Sequence, residues 1–382
     1  MPTPFTLHIP DADIADLQQR LARTRFPDAA PGEPWAYGTS VGYMRDLVAY
    51  WRDGFDWRAA EARLNAFPQF KLAQDDVDLH FLHVPGKGPK PMPLLLMHGW
   101  PGSVFEFLDF IPRLTDPAAF DGDPADSFTV VAPSLPGYGL SFRPGQKRYG
   151  VEEIAAAMVE LMGSLGHERF AVQGGDWGGI TAGHMGAVYP EKLIGLHVNM
   201  LAVPRDRATL AASADDPVQI AFLDDLKHWL DEETGYQAIQ GTKPQTLSFA
   251  LSDSPAGLAA WLVEKFRSWT DCGGDVETAL TRDQMLADIS FYWHTGAIGS
   301  SFYPYYYRLR RPWPVSPQRP ATAPTGYAQF PREMLRPPRA LAEKSFTNIR
   351  RWTVMPKGGH FAAMEQPEAL AGEVRAFFRE WR

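Results

Sequence analysis

The chain has 382 residues, 45% hydrophobic and 21% charged, with a formal net charge of −8. That length buries a large core and admits either one large domain with insertions or two domains. The acidic balance and the lack of a long basic run argue against nucleic acid and anionic membrane surfaces as partners, and the single cysteine, Cys272, excludes an intramolecular disulfide framework and a cysteine-rich metal site.

A lone cysteine also fits a reducing compartment. The first residues, MPTPFTLHIPDADIADL, lack the basic-then-apolar pattern of a signal peptide. No apolar run approaches the roughly 18 residues of a membrane span. The expectation is a soluble, cytoplasmic protein. Aromatic residues are abundant, with 12 Trp, 13 Tyr and 23 Phe. They serve a large aromatic core or a pocket for an apolar ligand equally well.

In chain order, residues 11 to 25 read as an amphipathic helix with Ile14, Leu17 and Leu21 on one face, capped by Asp11 or Asp13. Residues 43 to 52 repeat the pattern with Met44, Leu47, Val48 and Trp51, after a Pro/Gly-rich loop from Pro27 to Gly38. This opening segment, 1–75, has too few apolar positions to fold alone and is expected to wrap around something larger. From Val77 the texture changes to apolar strand runs: Val77 to His83, Pro93 to Met97, Phe128 to Ala132, Phe170 to Gln173 and Leu193 to Val198. Helical patterns at Val151 to Leu165 and Gly178 to Val188 separate the later ones. Apolar strands alternating with helices predict a mostly parallel sheet with helices on both faces.

The pattern breaks near residue 204. Residues 205–311 show helical stretches, such as Gly257 to Phe266 and Gln284 to Tyr292, and no comparable strand run. A proline-rich stretch from Arg311 to Pro338 follows, then a strand at Arg351 to Met355. A last helix carries Leu370, Val374, Phe377 and Trp381 in one stripe. The layout predicts an α/β core in two parts, 76–204 and 312–382, interrupted by a helical cap at 205–311.

Chemistry concentrates in GGDWGG, residues 174 to 179, directly after the run Phe170 to Gln173. Strand, glycine turn and helix are the nucleophile elbow of α/β-hydrolases, usually written G-x-S-x-G. Asp176 stands where the serine would. A carboxylate is a poor acyl acceptor but displaces a leaving group at saturated carbon, forming an ester. The elbow thus points to epoxides or haloalkanes rather than to esters and peptides.

After the Pro93 to Met97 run stands His98-Gly-Trp-Pro-Gly-Ser103. In an α/β-hydrolase the loop here supplies one oxyanion donor and the residue after the nucleophile the other, which assigns the backbone N–H groups of Trp100 and Trp177. Lys357-Gly-Gly-His360 follows the last strand, where this fold places its base, so His360 is singled out from ten histidines. For the acid that orients the base, Glu333 follows the late strand pattern Pro324 to Pro331, with Asp206 as rival.

With these motifs the chain resembles the epoxide hydrolases of the microsomal type over nearly its whole length. HGWPGS, GGDWGG, Gly235-Tyr236, Thr242-Lys-Pro, Asp253-Ser-Pro-Ala-Gly-Leu258, Tyr292-Trp, Gly296 to Ser301, Pro324-Thr-Gly and Gly-Gly-His360-Phe-Ala-Ala carry the resemblance. It implies that the opening segment is the family's N-terminal meander, without a membrane anchor. It also implies two cap tyrosines that hold and protonate the epoxide oxygen. Tyr236 matches the first. Tyr305 matches the second when no gap follows Ser300-Ser301, with Tyr306 as the alternative because Tyr303-Pro-Tyr-Tyr-Tyr307 replaces the family's usual Arg two residues earlier.

The implied reaction converts an apolar, bulky epoxide to a vicinal diol through a covalent ester on Asp176, hydrolysed by water that His360, oriented by Glu333, activates. It requires no metal and no organic cofactor. A haloalkane dehalogenase would share Asp176, His360 and Trp177, and a catalytically silent ligand receptor would share the fold. Tyrosines favour an oxygen leaving group, which needs a proton where a halide does not, and a complete set of triad candidates weighs against a silent scaffold. Exposed aromatic surfaces would allow a homodimer, though no residue pattern specifies one. Detoxification, catabolism and biosynthesis remain alternatives for the role.

Overall fold

The structure, a computed structural model, describes residues 1–74, 77–204 and 217–382. Its frame is a nine-stranded sheet in the order β1-β2-β3-β5-β4-β6-β7-β8-β9. The strands are β1 (Thr3–Phe5), β2 (Gln69–Gln74), β3 (Val77–Val84), β4 (Met92–Met97), β5 (Phe128–Pro133), β6 (Phe170–Gly174), β7 (Leu193–Val198), β8 (Thr325–Gln329) and β9 (Ile349–Val354). The pairs from β1 to β5 through β3 are antiparallel and every other pair is parallel. The central strands are buried on both faces, as in the fully buried run of β6, which is why they read as solid apolar runs.

Helices of six residues or more are α1 (Asp11–Ala22), α2 (Val41–Asp53), α3 (Trp57–Asn65), α4 (Val151–Ser164), α5 (Asp176–Val188), α6 (Pro217–His228), α7 (Gly235–Thr242), α8 (Pro244–Asp253), α9 (Pro255–Trp269), α10 (Arg282–Thr295), α11 (Tyr303–Arg308) and α12 (Pro367–Phe378). Among the described residues no strand lies between β7 and β8, and α6 to α11 fill that interval. The helix ends follow local chemistry. Thr281 and Gln284 form a capping box at the start of α10, and Gly296, at φ 65°, ends it in the left-handed region. Asp11 and Asp13 do not cap α1; its N-cap is Pro10, and the two acids sit in the first turn, where they favour the helix dipole.

The opening segment does more than wrap. β1 and β2 extend the sheet, while α2 reaches the helical insertion. There the Trp51 indole N–H donates to Ser290 at 2.9 Å and the Thr39 hydroxyl to the Ala260 carbonyl at 2.7 Å. The segment thereby ties sheet to insertion. Neither short strand shows a sustained apolar alternation, and α3 lies between segments whose periodicity is stronger. No described helix is long and apolar enough to cross a membrane.

Register sets the functional end. Met97 of β4 pairs with Gly174 of β6, and Gly174 with Val198 of β7. Three neighbouring strands thus finish at one level, and the HGWPGS loop and the elbow emerge side by side. The approach is close enough to demand glycine: a Cβ on Gly174 would lie 2.6 Å from the Gly178 carbonyl carbon, and one on Gly178 would collide with the Met97 carbonyl oxygen. Gly178→Ala is therefore expected to lower stability by about 1–3 kcal/mol through overpacking, read as a reduced urea midpoint; an unchanged midpoint would show that the strand ends can separate at no cost.

Candidate active site

Asp176 opens α5 with φ of 47°, in the left-handed region that residues other than glycine rarely occupy. The sharp turn holds the carboxyl group at the end of the sheet, buried. Its Oδ1 accepts the Trp100 backbone N–H at 2.8 Å, and the Trp177 backbone N–H acts on the same carboxylate. Burial raises the Asp176 pKa, while His360 and the two backbone donors pull it back toward the ionised form.

His360 comes from the loop after β9. Gly358, at φ 111°, turns that loop, and the His360 N–H donates to the Trp269 carbonyl at the end of α9 at 2.8 Å. Its Nε2 stands 3.6 Å from Asp176 Oδ2. Its Nδ1 meets Glu333 Oε1 at 2.9 Å and Oε2 at 3.0 Å. Glu333 reaches it because the β8–β9 pairing continues past the strands: Arg332 bridges to Gly359 in parallel and donates its N–H to the Gly358 carbonyl at 3.1 Å. Burial alone would lower the imidazole pKa. The Glu333 and Asp176 carboxylates outweigh it and push the value up to about 9. Asp206, the rival acid, lies outside the described residues.

The helical insertion closes the site with aromatic rings. Tyr236 stacks on Trp100 with centroids 5.3 Å apart and planes 10° from parallel. Tyr305 meets Trp100 edge-on at 5.8 Å, Trp177 at 4.7 Å and Tyr236 at 5.6 Å. The Tyr236 hydroxyl accepts from Gln237 Nε2 at 2.8 Å, and the ammonium of buried Lys265 lies 4.7 Å from the centre of its ring. The Tyr305 hydroxyl is buried without a partner in hydrogen-bonding geometry; the Trp177 side chain still acts on it, but burial dominates and raises its pKa well above the usual tyrosine value. Tyr306 does not share this site. Its ring faces Arg310 and Tyr307 instead.

Two cavities touch Asp176. The larger, about 390 Å³, is lined by Asp176, Trp177, Tyr236, Tyr305, Met334 and Leu335 among others. The smaller, about 20 Å³, is lined by Glu106, Asp176, His360, Gln173 and Asn199 among others, and has room for one water. Among the described residues Asp176 is the only one that lines both. Glu106 was not singled out by sequence reasoning. Burial, with Asp288 and Asp176 nearby, raises its pKa well above the ordinary carboxylate value despite His360. Its one available signal is a charge enclosed by the apolar run Val104-Phe-Glu-Phe107. Among the described residues no cluster of His, Cys, Asp or Glu is arranged to hold a metal ion.

Comparison with known proteins places the chain in a family. Residues 2–107 match the family described as epoxide hydrolase N terminus, and residues 92–218 the alpha/beta hydrolase fold. A Stigmatella aurantiaca (strain DW4/3-1) relative assigned as an epoxide hydrolase is 41% identical over 381 residues, covering 100% of this chain and 85% of its own. Epoxide hydrolase 1 of Oryctolagus cuniculus is 36% identical over 401 residues, covering 98% of this chain and 88% of its own. The crystal structure of juvenile hormone epoxide hydrolase from the silkworm Bombyx mori superposes with a TM-score of 0.89 at 31% identity, covering 100% of this chain and 94% of that one. The chain belongs to the microsomal-type epoxide hydrolases, with the α/β-hydrolase fold.

Proposed function

We propose that this chain hydrolyses apolar epoxides to vicinal diols through a covalent ester on Asp176. The observation that carries the reading is a carboxylate with one oxygen on a backbone donor and the other facing an imidazole, at the wall between a substrate-sized and a water-sized cavity. In this reading residues 205–311 act as a cap between core parts 76–204 and 312–382, and residues 1–75 act as the meander that fastens it.

Asp176 Oδ2, the oxygen away from the Trp100 donor, attacks one ring carbon. The C–O bond of the epoxide breaks, and its oxygen takes a proton from Tyr236 or Tyr305. Tyrosine suits this because it stays protonated at neutral pH. The unpartnered Tyr305 hydroxyl supports the assignment, since a buried donor without an acceptor costs about 1–3 kcal/mol that a ligand oxygen relieves. A halide leaving group would need no such donor.

Esterification neutralises Asp176 and removes one of the carboxylates that raise the His360 pKa. The imidazolium then gives its proton to the tyrosinate left by the first step, so His360 stands unprotonated at the stage that needs a base. It deprotonates water, which attacks the Asp176 carbonyl carbon. The oxyanion forms on Oδ1, held by the Trp100 and Trp177 N–H groups. Collapse expels the diol, which carries Oδ2 away with the proton from His360, and the carboxylic acid left on Asp176 passes its proton back to the imidazole, which restores the ionised nucleophile.

A single turnover in ¹⁸O-labelled water is expected to place heavy oxygen in the Asp176 peptide and leave the first diol unlabelled, by mass spectrometry. Label in the diol and none in Asp176 would mean direct water attack. His360→Gln is expected to accumulate the ester on the same peptide. Tyr305→Phe is expected to slow ester formation by about 100-fold or more without slowing ester decay, as resolved by rapid quench.

The His360–Glu333 pair also sets a pH dependence of stability. The folded pKa of His360, about 9, lies above the ordinary value, so its stabilisation is complete below about pH 6.5 and drains away as pH rises through 9. The stability lost in Glu333→Gln should therefore be larger at pH 6.5 than at pH 10, by urea unfolding. An equal loss at both values would show that the pair's charge contributes nothing.

A further inference from the structure

The wall of the larger cavity carries one charge that this mechanism leaves unused. Among the described lining residues Asp176 is the only carboxylate and Arg308 the only cation, in a surface otherwise rich in Trp, Leu, Met and Tyr. Arg308 ends α11 one turn after Tyr305, the spacing that puts two side chains on one helix face. Its guanidinium carbon lies 4.0 Å from the centre of the Trp313 ring. That contact seats the head group against the indole.

The guanidinium lacks the partners its neighbours have. Arg311 holds both nearby carboxylates, Glu152 at 2.8 Å and Glu153 at 2.7 Å. Among the described residues Arg308 keeps only a long 3.4 Å bond from Nη1 to the Arg311 carbonyl, and its buried Nε has no partner. Burial pushes its pKa down to about 10, and distant Glu152 offsets this only in part. No carboxylate among the described residues pairs with it; a half-buried cation so placed is unfavourable, and the group still holds its charge at neutral pH.

We propose that Arg308 is the recognition site for a carboxylate on the substrate, so that the preferred class is an epoxide on an apolar chain ending in a carboxylate. The proposal rests on the epoxide-hydrolase reading and narrows it. The apolar wall takes the chain, the tyrosines take the epoxide oxygen, and Arg308 takes the far end. A planar guanidinium seated against an indole offers two parallel N–H donors to a carboxylate, a match that lysine cannot reproduce.

The test is a series of terminal epoxides bearing a carboxylate at the end of a chain of increasing length, each paired with its methyl ester. At the length that spans the cavity, kcat/KM for the acid is expected to exceed that for the ester by about 10- to 100-fold, the worth of a charged hydrogen bond. Arg308→Leu is expected to abolish the ratio and Arg308→Lys to restore part of it. No acid preference at any length, or a preference that survives in Arg308→Leu, would overturn the proposal. Binding of the saturated carboxylates, read by tryptophan fluorescence, separates this from the parent reading because it needs no turnover. Saturable binding lost in Arg308→Leu supports the anion site even if no epoxide reacts, and equal binding by both proteins overturns it.

Discussion

The turn at Asp176 is the constraint on which the rest of the site depends. A non-glycine residue at φ 47° stores strain, and it persists because the surroundings leave no alternative. Gly174 and Gly178 let the first turn of α5 press against β6 and the end of β4, and the β4–β6 register brings Trp100 within 2.8 Å of the carboxylate. Relaxing the turn would pull Asp176 off its backbone donor and away from His360 together. Strain, oxyanion donor and base are thus coupled through one backbone geometry, and the glycines around Asp176 are as much part of the site as the carboxylate.

Burial then makes the electrostatics strong. Asp176, His360 and Glu333 are all buried, where charge interactions are weakly screened. Two carboxylates flanking one imidazole favour its protonated form, which in turn helps keep Asp176 ionised in a place where burial opposes charge. The same arrangement responds when one charge disappears. Removing the Asp176 charge leaves the imidazole with the Glu333 carboxylate and less reason to keep its proton, so the two halves of the proposed reaction call for opposite protonation states of His360 and the first half produces the change the second requires.

Much of this was legible in the sequence because the chemistry is local. Strand β6, the glycine turn and α5 are contiguous, so GGDWGG announces its own geometry, and the apolar runs of β4 to β7 fall where buried parallel strands must be apolar. Glu333 was harder, because its place beside His360 depends on an extension of the β8–β9 pairing through Arg332 and Gly359 that no sequence period signals. Tyr305 and Tyr306 are adjacent in a run of tyrosines, and only the helix phase of α11 separates a ring against Trp177 from one against Arg310. Glu106 and β2 escaped for a related reason: one is a single charge in an apolar run, the other a strand whose burial is supplied by neighbours distant in the chain.

The two cavities give the architecture its logic. In the proposed reaction a covalent ester must form with water excluded and then meet water without delay. A single open pocket serves both needs poorly, because solvent beside the substrate weakens every directed charge and hydrogen bond there. Here Asp176 alone among the described residues lines both spaces, with the tyrosines on the larger side and His360 and Glu106 on the smaller. Water placed in the smaller space is held by polar groups and kept from the aromatic wall. Such a division requires the nucleophile to be a thin partition reached from two sides, and a short carboxylate on a forced turn meets that requirement where a longer side chain on a regular helix would not.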